Sequence, residues 1–191
     1  LVSSNCFFLI CNFVFAEDDY GNANSTLTRN VQIDTTTPLI SIVSPINGTN
    51  SSDNGLDVNY TFVEANVDGC WYSNDSYAVN TTLADCSNIT SVVWADGLHN
   101  VTIWINDSFG NVNSSSVSFR IDATLPNGTL LAPENASYNS TTSQNFTVNL
   151  TDNFGIQNAT LNIYNSTGHL VNQTSESFIG NVLKYTLGIV V

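Results

Sequence analysis

Parts of this 191-residue chain repeat one another at a distance of about 88 residues. The segment Asp18–Ser25, with the sequence DDYGNANS, recurs as Asp107–Ser114, with the sequence DSFGNVNS, at an offset of 89 residues. Pro38 recurs as Pro126 at an offset of 88, so a one-residue slip lies between the two matches. Internal repetition of this length predicts stacked modules, each of which is one small supersecondary unit.

Residues 35–122 make one complete module, in which short segments of alternating polarity are separated by turn dipeptides such as Asn54-Gly55 and Asp96-Gly97. No stretch shows sustained helical periodicity. The predicted strands are Leu39–Val43, Leu56–Phe62, Cys70–Tyr72, Ala78–Leu83, Ile89–Trp94, His99–Asn106 and Ser116–Ile121. Seven short strands in one module predict an all-β fold, a β-sandwich of immunoglobulin type.

Two partial modules flank the complete one. Residues 1–34 match the last two strands, F and G, of a module, and residues 123–191 carry strands like A through E. A sandwich that lacks F and G exposes an apolar groove and unpaired strand edges. Either the first strands of one copy complete the last module of its neighbour, head to tail, or the chain is a section of a longer tandem array. The sequence leaves both alternatives open.

Strand donation has a candidate segment. Residues 7–15 are apolar on both faces, and such a strand is expected to be buried on both sides. The same stretch, ending in Val14-Phe15-Ala16, also resembles the hydrophobic region and cleavage site of a signal peptide, although it continues directly into a hairpin turn. The expected contact residues are Phe7, Leu9, Phe13 and Phe15 on the donated strand, and Phe146, Val148 and Leu150 in the acceptor.

Asparagine is concentrated in acceptor triplets for N-glycosylation. Eighteen of the 28 Asn residues begin an N-x-[ST] triplet, whereas chance placement would give about 6. They are Asn24, Asn47, Asn50, Asn59, Asn74, Asn80, Asn88, Asn100, Asn106, Asn113, Asn127, Asn135, Asn139, Asn145, Asn149, Asn158, Asn165 and Asn172. In a strand, Asn and Thr of such a triplet share one face and the middle residue points to the other. The excess predicts an exported glycoprotein whose outer strand faces carry the sugars.

The charge balance excludes several classes of partner. The chain has 3 Lys and Arg against 16 Asp and Glu, a formal net charge of −13. Three cationic side chains cannot neutralise a nucleic-acid backbone or an anionic membrane surface. No apolar run reaches the roughly 18–20 residues that a membrane helix needs. The partners that remain are other copies of the chain and ligands such as cell-surface or glycan groups.

No residue pattern indicates catalysis. The two histidines, His99 and His169, lie in different modules, and no His, Cys and Asp cluster has metal-ligand spacing. We therefore expect no enzyme activity and no cofactor, apart from covalent glycans. Carboxylates at module junctions can hold calcium. However, an Asp at a hairpin turn, as at Asp18 and Asp107, more often accepts hydrogen bonds from the turn amides, so calcium is not expected.

The three tryptophans have different expected places. Trp71 matches the buried Trp of immunoglobulin sandwiches, and Trp94 is expected at the edge of the core. Trp104 alternates with apolar residues and shares a face with Asn100 and Asn106, so it is expected to point outward. An outward Trp can lie under a glycan, take part in a subunit contact or form a sugar-binding platform.

Motifs spread over the whole repeat resemble the tandem immunoglobulin-like repeats of archaeal and bacterial cell-surface proteins. These motifs are Thr35–Pro38, Ser44–Gly48, Cys70–Ser73, Asp96-Gly97 and Asp107–Asn111. The resemblance implies an extracellular or cell-surface place, as a stalk, S-layer component, adhesin or filament.

The cysteines are interpreted in the same context. The spacing of Cys70 and Cys86 resembles that of a Cys pair in related surface repeats, which implies a disulfide in an exported protein. Cys6 and Cys11 have no assigned role. The first functional hypothesis is a structural subunit of a glycosylated cell-surface filament, assembled head to tail. The alternative is an adhesin stalk or a carbohydrate-binding accessory module.

Overall fold

A computed structural model of the chain describes residues 8–12, 14–27, 29–75, 79–140 and 144–190. The chain divides into two compact units, Leu1–Ile121 and Asp122–Val191. Regular structure in the described ranges consists of β-strands and one 3-10 turn at Ala84–Cys86, which confirms the all-β class. In these ranges no helix is long and apolar enough to cross a membrane.

The first four strands form a long antiparallel hairpin around the turn at residues 18–22. Strand β1 (Phe8–Asn12) pairs with β4 (Arg29–Ile33), and β2 (Phe15–Glu17) pairs with β3 (Ala23–Ser25). The turn closes through two backbone hydrogen bonds, Asp18 N to Asn22 O at 3.0 Å and Gly21 N to Asp18 O at 3.1 Å. Gly21 has a φ of +79°, a conformation that favours glycine. These strands are called the N-terminal hairpin below.

The complete module follows in the same unit. Its strands are β5 (Leu39–Ser44), β6 (Thr49–Ser51), β7 (Asn59–Val63), β8 (Val67–Asn74), β9 (Thr81–Leu83), β10 (Gly97–Asp107) and β11 (Val112–Ile121). One sheet has the order β6-β11-β10-β8-β9, and the other is the antiparallel pair β5-β7. The Ile42 amide of β5 donates to Ser115 Oγ of β11 at 3.3 Å, so the two sheets meet. The predicted sandwich of immunoglobulin type is confirmed.

The structure differs from the predicted strands at one predicted strand and at one strand that was not predicted. The predicted strand Ile89–Trp94 is reduced to one antiparallel bridge between Ile89 and Val58. The chain leaves the sheet because the Trp94 amide donates to Asn54 O at 2.8 Å, which holds this stretch as a loop. Strand β6, which pairs with β11 in parallel, was not predicted.

The core of the complete module lies between its two sheets. Val58, Ile103, Ile105 and Phe119 are fully buried, and burial of each such side chain contributes roughly 1.5–3 kcal/mol. The predicted disulfide is confirmed: it joins Cys70 on β8 to Cys86 in the 3-10 turn. In the chain-entropy model, closing a loop of this length stabilises the fold by about 3 kcal/mol.

The second unit contains one sheet of three antiparallel strands. These are β12 (Asn127–Ala132), β13 (Asn145–Tyr164) and β14 (Leu170–Val190), in the order β12-β13-β14. The pairing of β13 with β14 shifts its register between Thr151 and Ile156. Residues on both sides of this irregularity face a common groove.

The pairing of β12 with β13 repeats that of β5 with β7, 88 residues later. Leu39 pairs with Val63 in the complete module, and Asn127 pairs with Thr151 in the second unit. The register irregularity after Ile42 recurs after Leu130. The second unit therefore has the A and B strands of an immunoglobulin-like module in their usual register, and the modules are in tandem.

Candidate assembly site

The N-terminal hairpin has the register of an F–G hairpin. Phe8 pairs with Ile33, as Gly97 pairs with Ile121 in the hairpin β10–β11. At the other end, Glu17 pairs with Ala23, as Asn106 pairs with Val112. The one-residue slip seen in the sequence lies between these ends, on the second strand, where residues 26–28 correspond to residues 115 and 116. The pairing of the described residues thus resembles that of the hairpin β10–β11, and the assignment of residues 1–34 to strands F and G stays a prediction.

Apolar residues that are buried in the complete module are exposed in the N-terminal hairpin. Val14 corresponds to Ile103 and is 66% exposed, whereas Ile103 is fully buried. Val31 corresponds to Phe119 and is 47% exposed, whereas Phe119 is fully buried. We call this apolar side of the N-terminal hairpin, with Val14, Val31 and Ile33, the donor face.

Of the donated residues that were predicted from sequence, Phe15 has a described side chain, and it does not lie on this face. Phe15 corresponds to Trp104 and lies on the opposite side of the hairpin from Val14. Phe7 and Phe13 lie outside the described residues, and so does the side chain of Leu9. The predicted set stays a prediction. Val14 was missed, although the repeat offset of 89 residues relates it to Ile103 and could have identified it.

The second unit has an apolar groove of about 90 Å³, which we call the acceptor groove. Its lining residues are Leu130, Phe146, Val148, Leu150, Ala159, Thr160 and Leu161. The structure thus brings together the three predicted acceptor residues, Phe146, Val148 and Leu150. At the offset of 88, these three correspond to Val58, Tyr60 and Phe62, which belong to the packed core of the complete module or contact it.

One strand edge beside the acceptor groove has no neighbouring strand among the described residues. Residues 158–164 of β13 pair with β14 on one side, whereas β12 pairs only with residues 147–151 of β13. In the complete module, β8 has β9 on one side and β10 on the other. At the offset of 88, Asn158 corresponds to Cys70 of β8, so the strand that would pair at this edge corresponds to β10, strand F of the complete module.

None of the eighteen glycosylation acceptors is buried. Thirteen of these Asn side chains are exposed and five are half-buried. Three triplets, those that begin at Asn145, Asn149 and Asn158, contribute their middle residues to the acceptor groove. Because side chains alternate along a strand, Asn145 and Asn149 point away from the groove. Asn158 is different, since Thr160 of its triplet is itself a lining residue. The arrangement allows sugars at Asn145 and Asn149 while the groove stays clear of them.

Trp71 and Trp94 occupy different places from those expected, whereas Trp104 lies on the outer face as expected. Trp71 and Trp104 are half-buried neighbours on the outer face of the five-stranded sheet, with their rings stacked at 6.3 Å and an interplanar angle of 6°. The prediction of Trp71 as a core residue was wrong, because Cys70 beside it points inward. Trp94 is the buried Trp of the module, and its ring packs edge-on against Phe119 at 5.1 Å.

The turn carboxylates are used within the fold. Asp107 is buried and accepts hydrogen bonds from the amides of Phe109 and Asn111 and from Asn111 Nδ2, at 2.7–2.9 Å. Burial raises the pKa of Asp107, but the hydrogen bonds from Asn111, Phe109 and Gly110 outweigh burial and lower the pKa below its ordinary value of 3.8.

The corresponding turn of the N-terminal hairpin has the same chemistry. The exposed Asp18 has its pKa lowered by hydrogen bonds from the Asn22 side chain and backbone and from the Tyr20 amide, which outweigh the effect of burial. This use of Asp at hairpin turns is what the sequence predicted.

Three carboxylates in the first unit come together in a way that the sequence did not predict. Ligand oxygens of Asp34, Glu64 and Asp107 lie within 4.8 Å of one another. Oxygen ligands of this kind suit calcium. However, Asp34 accepts from the Thr36 amide and Glu64 from the amides of Ala65 and Asn66, in addition to the bonds of Asp107. The cluster thus serves the turns around it, and sequence analysis missed Glu64 because it lies far from both Asp residues along the chain.

Comparison with known proteins gives one similarity in sequence and two in structure. No family model matches the chain. It is 34% identical over 119 residues to halomucin of Haloquadratum walsbyi, a match that covers 56% of this chain and 1% of halomucin. The chain therefore spans about one hundredth of that relative.

Two solved structures have a partly similar fold. The fibronectin(III)-like modules of Clostridium thermocellum CbhA give a TM-score of 0.38 at 18% identity, covering 78% of each chain. A tetra-tandem repeat in the extending region of a large adhesion protein gives a TM-score of 0.39 at 23% identity. That match covers 95% of this chain and 48% of the other.

Proposed function

We propose that this chain is a structural subunit of a secreted, N-glycosylated cell-surface filament that is assembled head to tail through its immunoglobulin-like modules. The observation that carries the proposal is the pair of complementary open surfaces. One part of the chain has the register of strands F and G and an exposed donor face, and another has the register of strands A and B and an open acceptor groove. Contacts between unlike surfaces are heterologous, and they extend into filaments unless their rotation closes a ring.

The surface chemistry supports a glycosylated, exported protein. All eighteen acceptor triplets place their Asn where solvent reaches it, and the disulfide between Cys70 and Cys86 fits an oxidising compartment. The 34% identity with a stretch of halomucin supports a place at the cell surface.

The use of the histidines supports a structural role. His99 is buried, with Nδ1 3.0 Å from Asp75 Oδ2 and Nε2 2.7 Å from Ala95 O. His169 lies in the turn between β13 and β14, where Nδ1 is 2.9 Å from Thr167 Oγ1. Both rings are held by local hydrogen bonds that stabilise loops.

The test uses the native material from its source. We expect an intact mass well above the 20.6 kDa of the bare chain, and fibres in negative-stain micrographs. Treatment with an enzyme that removes N-linked glycans should lower the mass. A bare mass would overturn the glycoprotein part of the proposal, and isolated particles at all concentrations would overturn the filament part.

A second candidate function rests on the stacked pair Trp71 and Trp104. Two half-buried indole rings on an outward sheet face offer an apolar surface on which a sugar ring can stack, so a carbohydrate-binding module is the alternative. Glycan-array binding that is lost in Trp104→Ala but kept in Leu98→Ala would favour it. Leu98 is a suitable control because it is an exposed residue of the same strand.

A further inference from the structure

We propose that the N-terminal hairpin of one copy binds the acceptor groove of a second copy and adds its first strand to the unpaired edge of β13 at residues 158–164. The product is a sandwich in which strands of two copies have the sheet order of the complete module. This inference rests on the proposed function, because it names the contact by which the filament grows.

The complete module supplies the geometry of the contact. There, the hairpin β10–β11 covers the pair β5–β7, and Ile103 and Phe119 of the hairpin are fully buried in the shared core. The N-terminal hairpin has the register of β10–β11, and the pair β12–β13 has the register of β5–β7. The same two surfaces are therefore present a second time, and Val14 and Leu130 on them are exposed.

Backbone pairing adds to this apolar contact. In the complete module, β10 pairs with β8 in antiparallel register from Val101–Asn74 to Ile105–Cys70. Residues 158–164 of β13 correspond to β8 at the repeat offset, although here they continue the same strand as residues 145–151. Along one edge their amides and carbonyls have no strand neighbour in the described part of the chain. Addition of a strand at such an edge satisfies these groups and gives affinity through main-chain hydrogen bonds.

A second copy suits the groove better than a charged partner does. The groove is lined by uncharged side chains, and Val14, Val31 and Ile33 of the donor face are uncharged too. Burial of an unpaired charge is costly, so an acidic or basic partner would be disfavoured. Asn145 and Asn149, whose triplets contribute to the groove, point away from it, so glycosylation at these two positions leaves the groove open.

Arg29 is an exception within the donor face. It pairs with Asn12, whereas the corresponding pair of the complete module is Val101 and Val117, both buried. A guanidinium at this position has to be buried or has to reach the rim of the groove. The contact between copies should therefore be weaker than the corresponding packing within the complete module.

The test compares four variants of the full chain by mass photometry over a concentration series and by negative-stain microscopy. Val14→Asp changes the donor face and Leu130→Asp changes the acceptor groove, at side chains that are 66% and 54% exposed. We expect each to lower the apparent association constant about tenfold or more, because each buries an unpaired charge in the contact. Phe15→Asp and Tyr138→Asp are controls, on the other face of the hairpin and at a fully exposed site, and should assemble like the unchanged chain.

A mixture of the two blocked variants gives the sharpest result. Val14→Asp keeps an intact groove and Leu130→Asp keeps an intact hairpin, so one productive contact remains. We expect the mixture to form 1:1 dimers and no longer species, whereas each variant alone stays monomeric. Circular dichroism melts check that both variants keep their fold.

Other outcomes would contradict the inference in distinguishable ways. An unchanged chain that stays monomeric would overturn it, as would a mixture without dimers, which indicates that the hairpin binds within its own chain. Dimers of Val14→Asp alone would mean that grooves pair with each other. Filaments of native material that survive Val14→Asp would leave the proposed function intact and would overturn only this contact.

Discussion

Val14 and Ile103 occupy corresponding positions in two hairpins whose two ends pair in the same register, yet Val14 is 66% exposed and Ile103 is fully buried. This difference in exposure depends on which strands pack on each hairpin, and not on the pairing within the hairpin. Strands β5 and β7 cover the hairpin that contains Ile103. The exposed position of Val14 therefore marks a surface that the same fold buries elsewhere in the chain.

Arg29→Val should strengthen the association of copies. The change gives position 29 the residue that Val117 is in the complete module, and it removes a guanidinium from the donor face. We expect the apparent association constant to rise about tenfold, which corresponds to about 1.4 kcal/mol. Mass photometry at several concentrations measures it. Arg120→Val is the control, since Arg120 is exposed on β11, and it should leave the association constant unchanged. Equal effects of the two changes would count against a specific role of Arg29.

Glycan occupancy should differ between two identical acceptor triplets. Asn50 and Asn113 both begin the triplet Asn-Ser-Ser, but Asn50 is exposed, whereas Asn113 is half-buried and its Nδ2 donates to Pro38 O at 2.8 Å. Because glycosylation modifies Nδ2, attachment at Asn113 competes with this hydrogen bond and with packing. We expect higher occupancy at Asn50 than at Asn113 in glycopeptide mass spectrometry of native material. Equal occupancy would mean that modification precedes folding of this strand.

Much of the fold follows from local patterns, because alternation of polarity marks strands and Asn-Gly or Asp-Gly dipeptides mark turns. The prediction of Leu39–Val43 differs from β5 by one residue, and the repeat offset predicts the second A–B pair. Local patterns do not specify which strands become neighbours in a sheet. The parallel pairing of β6 with β11 brings together residues about 70 positions apart, and no turn residue encodes it.

The candidate site shows the same limit in its side chains. Periodicity tells which residues share a face but not which face is inside. Cys70 and Trp71 are adjacent on one strand and cannot both point into the core. Cys70 is buried and bonded to Cys86, so Cys70 points inward and Trp71 points outward. In the N-terminal hairpin, residues 7–15 are apolar on both faces of the sequence pattern. Only the register therefore shows that Val14, and not Phe15, lies on the donor face. The groove residues Phe146, Val148 and Leu150 alternate clearly with Asn and Thr, and they were predicted.

Tyr60→Phe should keep or increase the stability of the complete module. The Tyr60 side chain is buried, and its hydroxyl has no hydrogen-bond partner among the described residues. Removing a buried hydroxyl without a partner relieves a desolvation cost, so we expect the free energy of unfolding to rise by up to about 1 kcal/mol. Urea unfolding followed by Trp fluorescence measures it, and Tyr60→Ala should instead destabilise by about 3 kcal/mol or more. A clear loss of stability in Tyr60→Phe would indicate a partner for the hydroxyl.

Tyr60 also predicts a loss of stability at alkaline pH. Burial raises the pKa of Tyr60 above its ordinary value of 10.0, so the unfolded chain loses this proton first as the pH rises. Stability that is present below pH 10.0 should therefore decrease above it, and Tyr60→Phe should lose this part of the pH dependence.

Acid should destabilise the turn at Asp107, and in Asn111→Ala this loss should be smaller and should end at a higher pH. The pKa of Asp107 in the folded chain lies below 3.8, so the unfolded chain binds the proton first as the pH falls. The stabilisation is complete above the unfolded value and is lost as the pH falls from there through the folded pKa. Because Asn111 Nδ2 donates to Asp107 Oδ2 at 2.7 Å, its removal should raise the folded pKa and lower stability near neutral pH.

The repeat provides the matched control for this last prediction. Asn22 corresponds to Asn111 and bonds to Asp18 in the same way, but Asp18 is exposed in the N-terminal hairpin. Asn22→Ala should raise the pKa of Asp18 in an NMR titration without changing the unfolding of the complete module, since solvent screens the exposed turn. Asn111→Ala should raise the pKa of Asp107 and should also change the unfolding of the complete module. If the two variants alter the unfolding midpoint equally at pH 7, the stabilisation does not come from the buried carboxylate of Asp107.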